Sequence, residues 1–255
     1  MSAPKLMPTG ITNENYGGVT YHIEGELVPA LSIELSQMPI YFEHHVLLWK
    51  DPQLQIGLKS LKGAFKRVLS GMPVFMTEAR GPGRIAFSRD GAGHVFPLHL
   101  EAGQGVDVRE HQFLAATDNI DFTFTWNKGA ANMLFGGTGI FIDTFRCVGG
   151  QGVLWLHGFG NVFDVYLQPG EQIDIEPGGW IYKDCTVQMQ TQFQSLKSGF
   201  FASAGQLFWN RFTGPGRVGL QTMYMTLPSG GDANGSTGGG VAGTVVGGLL
   251  KGLGG

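Results

Sequence analysis

The chain has 255 residues, room for one large domain or two modest ones, and can bury a core without disulfide staples. Its 42 glycines and 15% charged residues fit many short strands joined by tight turns. A formal charge of −3, from 17 basic and 20 acidic residues, excludes a general electrostatic attraction for nucleic acid.

The N-terminal "MSAPKLMPTG" has no apolar signal core, and no uninterrupted apolar stretch along the chain is long enough for a membrane-spanning helix. The two cysteines, Cys147 and Cys185, lie outside any C-x-x-C pair. These features favour a reducing, cytosolic setting and leave open whether the cysteines pair. Residues 1–20 read as an N-terminal extension.

From Tyr21 to Pro228 the chain reads as three related modules, at about 21–90, 91–156 and 157–228. In the first, "LSIELSQMPIYFEHHVLLWKD" (Leu31 to Asp51) alternates apolar and polar residues as strands do. It resembles "DVYLQPGEQIDIEPGGWIYKD" (Asp164 to Asp184) of the third. Its "EHH", Glu43 to His45, falls in the turn and reads as a solvated loop. "GLKSLKGAFKRVLSG" follows. Leu58, Leu61, Phe65, Val68 and Leu69 recur at helical spacing, with Gly71 as a C-cap, so a short helix is expected. Lys59, Lys62, Lys66 and Arg67 give it a basic face. Such a face is either solvated or in contact with an anionic membrane surface or an acidic partner. The shorter "FQSLKSGFFASAG" in the third module is the candidate for a second helix.

The second module opens with "HVFPLHLEAGQGVDVREHQFLA", which aligns without a gap on "NVFDVYLQPGEQIDIEPGGWIY" in the third, His94 on Asn161. Gly103 meets Gly170, and Val106 and Val108 meet Ile173 and Ile175. "VFMTEARGPGRIAF" (Val74 to Phe87) repeats as "LFWNRFTGPGRVGL" (Leu207 to Leu220). "IFIDTFRCVGGQGVLWL" (Ile140 to Leu156) is a third version with an insertion. The recurring Gly81-Pro82-Gly83 and Gly214-Pro215-Gly216, with Gly103 and Gly170, read as structural turns. "GPGR" lacks the Lys-Ser/Thr of a phosphate loop and leads into a strand.

His94, His99, Glu101 and His111 are the candidate metal ligands. Their aligned positions hold Asn161, Tyr166, Gln168 and Gly178, so no ligand recurs. His94 and His99 are five apart, which puts them on opposite faces of a regular strand. Only His99 and Glu101 share a face. The spacing does not support a metal site, and no G-x-S-x-G elbow or comparable nucleophile context appears. No catalytic residue and no cofactor is assigned. Trp126, Trp155, Trp180 and Trp209 would need interleaved basic residues to stack nucleic-acid bases, and those are sparse.

Residues 229–255 form a Gly-rich flexible tail. Its "VAGTVVGGLLKGLGG" places Val245, Val246, Leu249 and Leu250 in an apolar, Gly-spaced run. Too short to span a bilayer, this run suits shallow insertion at a membrane surface, self-association, docking on the β-domain or simple disorder.

The triple module, "LKGAFKRVLSGMPVFMTEARGPGRIAFS", "PGEQIDIEPGGWIY" and "GFFASAGQLFWNRFTGPGRVGLQ" together resemble the family named for altered inheritance of mitochondria, over about Tyr21 to Leu227. The resemblance implies a β-sandwich or short β-helix similar to the tryptophan RNA-binding attenuation protein, often with oligomeric assembly. It implies support of inner-membrane organisation in fungal mitochondrial members, and brings no catalytic residues.

The expectation is therefore an all-β, pseudo-threefold β-sandwich or short β-helix of three repeated modules with one or two short helices. It would be a non-enzymatic, self-assembling scaffold or interaction protein. It would be cytoplasmic and homo-oligomeric, would bind no nucleic acid, and would be peripheral to a membrane through its tail. The alternative is a metal-dependent small-molecule enzyme on the same scaffold.

Overall fold

The computed structural model describes residues 2–60, 75–89, 91–127, 140–194 and 207–223. Among them, every regular element is a strand except one 3-10 turn at His44–Val46, and every strand pairing is antiparallel.

The chain opens with β1 (Lys5–Leu6), β2 (Ile11–Tyr16) and β3 (Val19–Glu24). Next come β4 (Ala30–Leu35), β5 (Ile40–Phe42), β6 (Leu47–Lys50), β7 (Gln55–Ser60), β8 (Phe75–Arg80) and β9 (Gly83–Phe87). They are followed by β10 (Gly93–Glu101), β11 (Gly105–Arg109), β12 (Phe113–Thr117), β13 (Ile120–Asn127), β14 (Ile140–Cys147) and β15 (Gln151–Phe159). The last described are β16 (Val162–Leu167), β17 (Gln172–Ile175), β18 (Trp180–Asp184), β19 (Gln188–Gln194), β20 (Leu207–Thr213) and β21 (Gly216–Gln221).

Four sheets result. Five strands run β2-β3-β4-β9-β6, six run β10-β15-β12-β5-β8-β7, seven run β1-β16-β21-β18-β11-β14-β13, and three run β17-β20-β19. The sheets stack in that order around three apolar clusters. Ile33 and Ile85 of the five-stranded sheet meet Phe42, Val153 and Trp155 of the six-stranded one. Phe96, Leu98, Leu154 and Leu156, from the opposite face of the six-stranded sheet, meet Val106, Phe145 and Tyr182 of the seven-stranded sheet. Val165, Trp180 and Val218 of the seven-stranded sheet meet Ile175 and Phe212 of the three-stranded one.

The strand sequences follow from these positions. β4, "ALSIEL", buries Leu31, Ile33 and Leu35 and turns Glu34 to solvent, the alternation of a strand with one covered face. β15, "QGVLWLHGF", is buried at every position after Gln151 because it lies between two cores. A strand covered on both faces reads as a continuous apolar run, and β15 does.

The first residues of the helix expected from Leu58 onward form a strand instead. Leu58 and Lys59 lie in β7, opposite Thr77 and Met76 of β8. At these residues the backbone ladder with β8 takes the place of a helical turn. Residues 61–74, with Lys62, Lys66 and Arg67, lie outside the described residues. So does most of the second candidate helix, whose first two residues, Phe193 and Gln194, end β19. Among the described residues there is no α-helix. Residues 1–20 contribute strands to the sheets, β1 against β16 and β2 against β3. Trp155 and Trp180 are fully buried, which removes them as stacking platforms.

Candidate functional site

The histidines of β10 are held apart by the alternation of their strand. His94 is buried, and its Nδ1 accepts the backbone N–H of Val162 at 3.2 Å. That bond leaves the proton of the neutral ring on Nε2. Burial pushes the His94 pKa down. His94 is thus an acceptor for an otherwise orphaned backbone donor where β16 begins.

His99 faces the N-terminal hairpin. Its ring stacks on Tyr16 with centroids 4.1 Å apart. Its Nε2 lies 2.7 Å from the Tyr21 hydroxyl and 3.4 Å from Glu14 Oε1. Glu101 accepts from the Tyr16 hydroxyl at 2.7 Å and from Gln151 Nε2 at 3.0 Å. These two bonds hold the Glu101 carboxyl below its ordinary pKa. Burial, followed by the Glu101 contact, pushes the Tyr16 phenol up to about 12. Burial lowers the pKa of His99 and raises that of Tyr21. The cluster fastens β2 and β3 onto β10.

His111 is exposed, stands at φ 67° and lies 3.8 Å from Glu110 Oε1. The four candidate ligands therefore do not converge. Among the described residues no group of three or more His, Cys, Asp or Glu side chains is placed to hold a metal ion. Cys147 and Cys185 are both free thiols. Lys59 is engaged within the chain, its Nζ bonded to the Asp118 carboxylate and 4.2 Å from the centre of the Tyr41 ring. Val245, Val246, Leu249 and Leu250 lie outside the described residues.

The turn glycines stand where a side chain does not fit or the backbone is left-handed. A Cβ on Gly81 would come 2.8 Å from Leu35 Cβ, and one on Gly214 would come 2.4 Å from the Gln168 carbonyl oxygen. Gly103 and Gly170 have φ of 87° and 79° with open space around them. Pro82 and Pro215 follow cis peptide bonds, and Gly83 and Gly216 have φ of 150° and 137°.

After each of these tight turns the next residue is caught by a side chain. The Arg84 backbone N–H donates to Asp51 Oδ2 at 2.9 Å, and the Arg217 N–H donates to Asp184 Oδ2 at 2.8 Å. In the second module the Val153 N–H donates to Thr117 Oγ1 at 3.0 Å. The sequence reading does not single out Asp51 and Asp184, although "WKD" and "YKD" close the two aligned segments.

The pairings of the strands also recur. β9 pairs with β4 and β6, β15 with β10 and β12, and β21 with β16 and β18. The second pairing in each set carries a register shift. β8 pairs with β5 and β7, β14 with β11 and β13, and β20 with β17 and β19.

Two further pairings join these sets of strands, β5 with β12 and β11 with β18. Asp107 stands opposite Lys183 in the second, and Lys183 Nζ donates to Asp107 Oδ2 at 2.6 Å and to the Val187 carbonyl at 2.8 Å. β6 and β17 each end a sheet, and among the described residues each leaves an open edge. On β6, Leu48 is 57% exposed and Trp49 is 42% exposed. The residues that align with them in the sequence, Ile181 and Tyr182, are fully buried.

No curated protein matches this chain. Among solved structures, protein SPYM3_0169 from Streptococcus pyogenes is similar in fold, with a TM-score of 0.61 and 20% identity over 81% of this chain and 94% of that one. The family described as Mitochondrial biogenesis AIM24 matches residues 21–223. With that match spanning the β-domain, the chain belongs to the AIM24 family.

Proposed function

We propose that this protein is a non-enzymatic scaffold whose β-domain, a pseudo-threefold repeat of one six-stranded unit, assembles with further copies of itself. The repeat is supported by strand pairings that recur with the same partners in all three modules, and by the recurring bond after each tight turn. The observation that carries self-assembly is the pair of open edges on β6 and β17. The counterparts of β6 are β12 and β18, and those of β17 are β5 and β11. All four are paired across modules inside the chain. An open strand edge is a template for another chain. Edges of two different kinds at opposite ends of a stack make a heterologous contact, which closes into rings or continues into filaments.

The protein is proposed to act in the cytoplasm, with the tail residues Val245, Val246, Leu249 and Leu250 adding contact with a membrane surface. Among the described residues no helix is long and apolar enough to cross a membrane. Co-sedimentation with anionic and neutral liposomes, full-length chain against a chain ending at Pro228, tests the tail. Pelleting of the full-length chain alone supports it, and equal behaviour of the two removes it. Size measurement by light scattering tests self-assembly, and a strictly monomeric protein contradicts it.

A further inference from the structure

We infer that β17 of one copy adds to β6 of the next in one fixed register, with Asp51 opposite Ile173 and Lys50 opposite Asp174, and that Lys50 and Asp174 form the ion pair of this junction. The inference rests on the self-assembly reading and specifies its geometry.

The register comes from the two junctions inside the chain. Thr117 of β12 stands opposite Ile40 of β5, and Asp184 of β18 opposite Val106 of β11. Ile40 of the first module and Val106 of the second both align with Ile173 of the third. Asp51 of the first and Thr117 of the second both align with Asp184 of the third. The missing third junction therefore sets Asp51 against Ile173. One step along, it sets Lys50 against Asp174 and Trp49 against Ile175.

The chemistry agrees with that register. Lys50 is the counterpart of Lys183, and Asp174 of Asp107. Lys183 and Asp107 already form a close ion pair across the junction of the second and third modules. Among the described residues Lys50 Nζ donates to the carbonyls of Asp51 and Pro52, at 3.2 and 3.4 Å. Asp174 is held by Arg211 through two bonds of 2.7 Å and stays exposed, so a carboxylate face remains for a second cation. Leu48 and Trp49 add an apolar argument. They stand where Ile181 and Tyr182 are covered by the preceding module, and a preceding copy would cover them the same way.

The occupant is a second copy of this chain. Opposite charges facing each other across an antiparallel pair stabilise it, and like charges oppose it. The test measures assembly of the full-length protein by light scattering for the wild type, Lys50→Glu, Asp174→Lys and the two changes combined. Each single reversal is expected to weaken association on the order of tenfold or more, and the combined swap to restore it. A chain carrying Lys50→Cys and Asp174→Cys is expected to give a ladder of disulfide-linked multimers on oxidation. One carrying Lys50→Cys and Gln172→Cys is expected to give none. Assembly that ignores both single reversals, or a ladder from the Gln172 pair alone, overturns this junction while leaving self-assembly standing. A wild-type monomer at every concentration removes both.

Discussion

Arg217 places its backbone N–H 2.8 Å from Asp184 Oδ2 and its Nη2 3.0 Å from Asp184 Oδ1, so one carboxylate closes both the turn and the side chain that follows it. A bond of the same kind joins uncharged partners, the Val153 N–H donating to Thr117 Oγ1. Both of those residues are fully buried. The Arg217–Asp184 ion pair keeps partial access to solvent. A hydroxyl suits Thr117, which is fully buried and where a charge would be costly. Thr117→Val keeps the shape and leaves the Val153 N–H unsatisfied. It should lower unfolding stability by about 1–3 kcal/mol, read from chemical denaturation. An unchanged midpoint would mean that the bond is incidental.

Lys183 and Asp107 form an enclosed ion pair between β18 and β11, with side-chain exposures of 8% and 20%. Removing one partner leaves a charge with little solvent access. Asp107→Ala should cost roughly 3 kcal/mol, the lower end for buried pairs because Asp107 is partly open. Replacing both with apolar residues of similar volume should recover much of the loss. Asp174→Ala, which opens the exposed pair with Arg211, should leave the melting temperature of the isolated chain nearly unmoved.

Burial holds the folded-state pKa of His94 and of His99 below the ordinary histidine value of 6.5. Below that pH the unfolded chain binds more protons than the native one. The stability contributed by the neutral rings is therefore present above about 6.5 and is lost as pH falls through the lowered folded-state values. Thermal unfolding between pH 7.5 and 5 should show a falling midpoint. His94→Asn combined with His99→Gln should flatten it. A slope that survives the double change would assign the titration elsewhere. The depressed carboxyls of Asp51, Glu101 and Asp174 add a further loss at more acidic pH, below their ordinary values of 3.8 to 4.5.

Two glycines separate space from backbone conformation. Gly214→Ala drives a Cβ to 2.4 Å from the Gln168 carbonyl oxygen and should cost about 1–3 kcal/mol through overpacking. Gly170→Ala meets nothing within 4 Å but stands at φ 79°. Its cost should be about 1 kcal/mol, from the left-handed conformation alone. Equal losses in the two variants would contradict this division.

The hairpin strands were legible because Val106 and Val108 alternate with Asp107, and the two GPG turns because they recur with their flanking residues. The β7 ladder was not legible. Ile56 and Leu58 are exposed on an edge strand, so their spacing carries no trace of a buried face. The role of His94 left no signal, since its partner is the backbone N–H of Val162, far along the chain. The open junction was half visible. The alignment that pairs Lys50 with Lys183 and Asp107 with Asp174 is in the sequence, but only the pairing of β11 with β18 sets Lys183 opposite Asp107.

The most direct test of head-to-tail assembly is the molar mass of the full-length protein by light scattering across a wide concentration range. Species of several chain masses, dissociated by Lys50→Glu and restored when Asp174→Lys is added, are the expected result. A single-chain mass at every concentration would contradict it.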